Sequence, residues 1–133
     1  MEKFRSGPHA VFRGREFRLA ALEDGKFELI SKVANDISLG FIKYSEGIYT
    51  KTVNKSELES VFSVDMMASY HGFEFGIFGQ DIDSGTVSLT TGNEKIAERF
   101  GFDRADKFYW EKWVPVSELD RVWEVKSALS LQG

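Results

Sequence analysis

The chain predicts an α+β domain: an antiparallel sheet built from two tandem repeats of about four strands, each closed by a helix. Three observations carry that expectation. Gly40-Phe41 leads through Ile48-Tyr49-Thr50-Lys51-Thr52-Val53 to Ser56-Glu57-Leu58, and 61 residues later Gly101-Phe102 leads through Tyr109-Trp110-Glu111-Lys112-Trp113-Val114 to Ser117-Glu118-Leu119. Earlier turn signals match as well, Gly14 with Gly72 at an offset of 58 and Gly25 with Gly85 at 60. Connections between the strand-like segments are short, which favours antiparallel neighbours over crossover helices.

Taken in order, the first repeat (residues 10–64) opens at Ala10-Val11-Phe12, turns at Gly14 and continues as Glu16-Phe17-Arg18-Leu19, alternating like a half-buried strand. Glu23-Asp24-Gly25 turns the chain into Lys26-Phe27-Glu28-Leu29. The second repeat (residues 68–125) opens at Ala68-Ser69-Tyr70, turns at Gly72 into Glu74-Phe75-Gly76-Ile77, and turns again at Asp83-Ser84-Gly85. The growing offset places every length change in a loop, where insertion is tolerated. Ser56 and Ser117 read as caps of the closing helices, with Glu59 and Asp120 three residues on. Leu58, Val61 and Phe62, and Leu119, Val122, Trp123 and Leu129, supply their apolar faces. An extra helix is expected between Thr91 and Phe100, capped by Thr91 or Asn93 and stopped at Gly101, whereas 33–39 reads as turn. The whole is expected to be one domain spanning 1–133.

Composition removes several functions. There is no cysteine, so disulfides, thiolate chemistry and cysteine-bound zinc are excluded. No segment has the length and apolarity of a signal peptide or membrane span, which leads to the expectation of a cytoplasmic protein without a membrane partner. A net charge of −4 argues against nucleic acid and towards a neutral or basic partner. The acidity is uneven: residues 10–64 are neutral, whereas 68–125 carry six Lys/Arg against eleven Asp/Glu.

No constellation names a reaction, so an enzyme is not expected. The two histidines, His9 and His71, lie at the ragged start and in a hairpin turn, without a nucleophile beside them. Asp81-Ile82-Asp83-Ser84-Gly85 begins like a calcium loop, but its glycine comes early and Gly92 stands at the closing glutamate position. Trp113–Leu119 looks like a strand-to-helix passage of Nudix hydrolases, but the glutamate-rich helix of that family is missing. No metal, cofactor or catalytic residue is therefore assigned. Lys51 and Lys112 occupy equivalent places beside aromatics, with stems packed on rings. Tyr109, Glu111 and Trp113 share one strand face, Trp110 and Lys112 the other, and an outward aromatic there is a candidate anchor for a partner. Asp81, Asp83, Glu94, Glu98, Asp103 and Asp106 crowd the turns and short helix of the second repeat. With Tyr109, Trp110 and Trp113 they make the candidate partner-binding set.

Gly47–Val53 with Lys55-Ser56-Glu57-Leu58, and Asp106–Trp113, resemble small bacterial immunity proteins of polymorphic toxin systems. The resemblance implies a cysteine-poor, acidic α+β inhibitor that masks the active site of a cognate toxin, here a basic one, with a monomer slightly favoured. A small-molecule sensor using a cleft between the repeats, or a hydrolase of unfamiliar type using Asp, Glu, Tyr and His71, are the alternatives.

Overall fold

The structure, a computed structural model, describes residues 1–131. It is nearly all-β. Among the described residues there are eleven strands and a single α-helix. The strands are β1 (Gly7–Phe12), β2 (Arg15–Ala21), β3 (Phe27–Ser31), β4 (Ile42–Ser45), β5 (Ile48–Val53), β6 (Ser60–Tyr70), β7 (Phe73–Asp81), β8 (Thr86–Thr91), β9 (Asp103–Arg104), β10 (Trp110–Pro115) and β11 (Arg121–Ala128). The helix α1 (Glu94–Phe100) precedes β9; Asn93 caps it by accepting from Ile96 N at 3.1 Å, and Gly101 stops it at φ 72°.

The α+β expectation is thereby corrected: neither repeat is closed by a helix. Ser56 and Ser117 sit in short 3₁₀ turns (Lys55–Glu57 and Val116–Glu118), and strands β6 and β11 follow. Ser56 does not cap. The Asn54 amide is met instead by the Glu57 carboxylate at 2.7 Å. The spacing of Leu58, Val61 and Phe62 suits one helical turn, but the pattern from Phe62 onward has period two. Phe62, Val64, Met66, Ala68 and Tyr70 are all buried and their neighbours are not. That alternation over eleven residues overrides the local spacing.

The chain forms two compact units. The first holds Gly7–Val64 with the described residues from Lys126 onward, and the second holds Met1–Ser6 with Asp65–Val125. Strand order in the first is β4-β5-β3-β2-β1-β6; in the second it is β9-β10-β8-β7-β6, with β11 also on β6. Numbered within its own unit, each order is fourth, fifth, third, second, first, sixth, so each repeat has about six strands, not four. The cores correspond position by position. Ala10, Phe12, Phe17, Leu29, Phe41 and Val53 in the first match Ala68, Tyr70, Phe75, Leu89, Phe102 and Val114 in the second.

The hairpins correspond too. Arg13-Gly14 and His71-Gly72 both have positive φ at the two central residues (50° and 78°; 50° and 82°), the geometry of a tight two-residue turn. Lys112 donates to Phe100 O at 2.8 Å and to the Tyr70 hydroxyl at 3.2 Å, tying the end of α1 to the sheet. Its ammonium thus serves the helix C-terminus, beyond the stem packing expected of it. One length difference is not in a loop. The β2–β3 ladder is regular, whereas β7–β8 shifts register between Ile77 and Gly79, so Phe78 is an added bulge residue.

Candidate functional site

In an antiparallel ladder, directly opposed residues share a face. In the second unit the buried Phe75, Val87, Leu89 and Val114 define the inner face, and α1 packs there through Ile96, Ala97 and Phe100. The outer face carries a row that crosses the sheet: Asp103 opposite Glu111, Glu111 opposite Thr90, Thr90 opposite Gly76, Gly76 opposite Met67. Beside it Trp113 stands opposite Ser88 and Ser88 opposite Gly79. A side chain at Gly79 would come within 3.3 Å of the Trp113 ring, so glycine lets the indole lie flat on the strand. Ser88 is sealed beneath and gives its hydroxyl to Glu111 at 2.6 Å.

Large rings stand exposed on this face. Phe78 is 72% exposed and Trp113 50%. The Tyr109 ring lies 6.0 Å from that of Phe78. The bulge explains the first of these, because the added residue leaves the alternation and turns a phenylalanine into water. Glu111 and Asp103 are like charges directly opposed, an arrangement that costs stability. Among the described residues neither has a basic partner within ion-pair distance.

The expected partner-binding set is divided by the fold. Tyr109, Trp113 and Asp103 share the outer face. Asp81 and Asp83 lie at the β7–β8 turn, where the Asp81 carboxylate accepts from the amides of Asp83 and Ser84; it closes a turn on itself. Asp106 does likewise with the Phe108 amide. Glu94 and Glu98 belong to α1, on the inner side of the sheet, and so fall outside the face. Trp110 also falls outside, since it packs into the core opposite Arg104, whose guanidinium lies 5.6 Å from its ring. Phe78, Asp65, Met67, Glu74 and Trp123 join the face unforeseen. Phe78 had a legible signal: the doublet Ile77-Phe78 between Gly76 and Gly79 breaks the alternation and marks a bulge.

The histidines are accounted for by packing. His9 is buried, with Nδ1 2.9 Å from Gly7 O and its ring stacked on Phe62. His71 stacks on Phe100 at 5.7 Å. One perturbed carboxyl group is Asp36 in the first unit. Arg15 donates to it at 2.6 and 3.2 Å and Ser31 at 2.5 Å, and the Arg15 bond holds its pKa below the ordinary aspartate value despite burial. That pair ties β2 to the 3₁₀ segment Ala34–Leu39. Among the described residues no group of three or more His, Asp or Glu is placed to hold a metal, and no helix is long and apolar enough to cross a membrane.

A family model described as Uncharacterised conserved protein UCP033725 matches residues 4–130. No curated protein matches the chain, and no solved structure does.

Proposed function

We propose a function for a chain that belongs, over residues 4–130, to the UCP033725 family: it is a protein-binding domain whose second unit docks a basic partner on its outer face. The observation that supports this reading is the pair of exposed rings Phe78 and Trp113, with the half-buried Tyr109 ring beside Phe78, next to the unneutralised Asp103–Glu111 pair. Rigid rings give an interface its anchoring energy, and unpaired carboxylates select a partner of opposite charge. The second unit carries eight Lys/Arg and thirteen Asp/Glu, a net charge of −5, so its field steers basic proteins towards it. In keeping with the resemblance to immunity proteins, the partner is a cognate bacterial toxin whose active site the face covers, in the cytoplasm.

The test is affinity capture from the native host, followed by binding kinetics on whatever is recovered. The reading expects a basic protein that is held by the wild-type chain and by Thr52→Ala, and lost with Phe78→Ala or Trp113→Ala. Each truncation should raise the dissociation rate about 30-fold, the scale of a 2 kcal/mol hot spot. Capture that ignores both aromatic substitutions would refute the reading.

A further inference from the structure

The outer face of the second unit contains a hollow of about 470 Å³ lined by Asp65, Met67, Glu74, Phe78, Trp123 and Val125, among others. Its floor is low because Gly76 has no side chain. The lining is apolar and aromatic with two carboxylates and no basic residue. Among the described residues, neither Asp65 nor Glu74 has a cation within ion-pair distance.

The first unit shows what belongs in such a place. The row His9, Arg18, Ile30, Thr50 corresponds to Met67, Gly76, Thr90, Glu111, by the same succession of opposed residues. His9 is opposite Phe62, and Phe62 corresponds to Trp123 at the 61-residue offset. Glu16 corresponds to Glu74 at the offset of 58. In the first unit the carboxylate and the ring are served by the chain's own lysine: Lys126 Nζ lies 2.7 Å from Glu16 and 5.1 Å from the Phe62 centroid. Arg18 fills the position that Gly76 leaves bare. In the second unit carboxylate, ring and space remain, and among the described residues the one cation on the ring, Arg121, is not part of the hollow's lining and lies beyond ion-pair distance of both carboxylates. The Trp123 ring is already shown to accept a guanidinium, since Arg121 lies 4.2 Å from its centroid.

We infer that this hollow receives a cationic side chain of the basic partner, with Glu74 and Asp65 as counter-ions and Trp123 and Phe78 as ring contacts. The inference rests on the proposed function and names the group by which the partner is recognised. Apolar walls strip water from the cation, and the carboxylates compensate; a flat guanidinium, weakly hydrated and able to stack, suits this best.

The inference is tested without the natural partner. The probe is a blocked pentapeptide, one arginine among glycines, titrated into the whole protein while the Trp123 indole N–H resonance is followed by NMR. The same peptide with citrulline, the neutral isostere of arginine, is the control. The arginine peptide is expected to shift the Trp123 signal saturably and to bind at least about tenfold more tightly than the citrulline peptide, the factor expected of about 1.4 kcal/mol of charge recognition. That preference should vanish in Asp65→Asn/Glu74→Gln, two exposed substitutions whose fold is checked by the unchanged remainder of the spectrum. Equal binding of both peptides, a shift confined to other residues, or a preference that survives the double substitution would each overturn it. Such a failure leaves the docking face untouched if partner capture still depends on Phe78 and Trp113. Failed capture with a positive peptide result would instead discard the protein-partner reading.

Discussion

In the first unit Asp36 is buried beneath the turn into Phe41, its carboxylate held by Arg15 and Ser31; in the second, Ala97 fills that place and Phe73 stands where Arg15 does. The backbone is the same in both, with Phe41 N donating to Asp36 O and Phe102 N to Ala97 O. One frame therefore accepts either an ion pair or apolar packing at one point, and that point carries structure, not recognition. The outer faces differ in the other sense. Thr52, Thr50, Arg18 and Ile42 in the first unit correspond to Trp113, Glu111, Gly76 and Asp103 in the second. The second unit also has the added Phe78. Changes of that kind do nothing for the core, and they are what a binding face needs.

The largest effect should come from breaking the ion pair on one side. Arg15→Phe leaves the Asp36 carboxylate buried without its cation and is expected to lower Tm by many degrees. Adding Asp36→Ala, which reproduces the chemistry of the second unit, should recover most or all of that loss. A double variant no more stable than the single one would break the comparison. The pair also sets a pH dependence. Because the folded-state pKa of Asp36 is lowered, its contribution is fully present above the ordinary aspartate value near 4. It drains away as pH falls through the lowered folded-state value, and denaturant midpoints between pH 5 and pH 2 should show this in the wild type and not in Asp36→Ala.

Next in size is the lysine that holds α1. Lys112→Met removes charge-assisted bonds to Phe100 O and the Tyr70 hydroxyl and should cost about 2 kcal/mol in denaturant unfolding. Lys51→Met should cost less, because Lys51 is placed over the Phe12 ring at 5.9 Å without an equivalent carbonyl bond.

Asn93→Ala should cost about 1 kcal/mol as a lost cap, whereas Ser56→Ala and Ser117→Ala should be near neutral, since neither serine caps a helix. Comparable losses at all three would mean that the short 3₁₀ turns matter more than their geometry implies.

These small effects mark where the sequence could be read and where it could not. Both repeats were visible because turns need residues at particular places: Gly14, Gly72, Gly40 and Gly101 adopt positive φ, and glycine there survives divergence of everything around it. The closing helices were misread because Leu58, Val61 and Phe62 satisfy a helical spacing over one turn, too short a stretch to outweigh the two-residue alternation that runs on to Tyr70. Of the proposed binding face, strand alternation alone showed that Tyr109 and Trp113 share one side of the strand and Trp110 the other, but not which side is the outer one. Asp103 fell on the face through its pairing with Glu111, and Glu94 and Glu98 fell off it because α1 lies on the inner side. Those placements depend on which strands pair, and charge counted along a chain carries no such information. The hollow at Gly76 was invisible for the same reason, its walls coming from four strands.

Association kinetics with the captured partner sharpen the charge difference between the units. Reversal of Asp81, Asp83, Asp103 and Asp106 should slow binding at low salt and flatten its salt dependence, while four reversals on the near-neutral first unit should do much less.

The most direct measurement deletes Phe78. The deletion restores to β7 the regular register that β2 already has, so the fold should persist with Tm within a few degrees of the wild type. Binding of the captured partner to the deletion protein is then compared with the wild type by surface plasmon resonance. A folded protein that has lost its partner, with at least about a 30-fold faster dissociation, is the result expected if the second unit's outer face is the docking surface. A folded deletion protein that binds as the wild type does would contradict it.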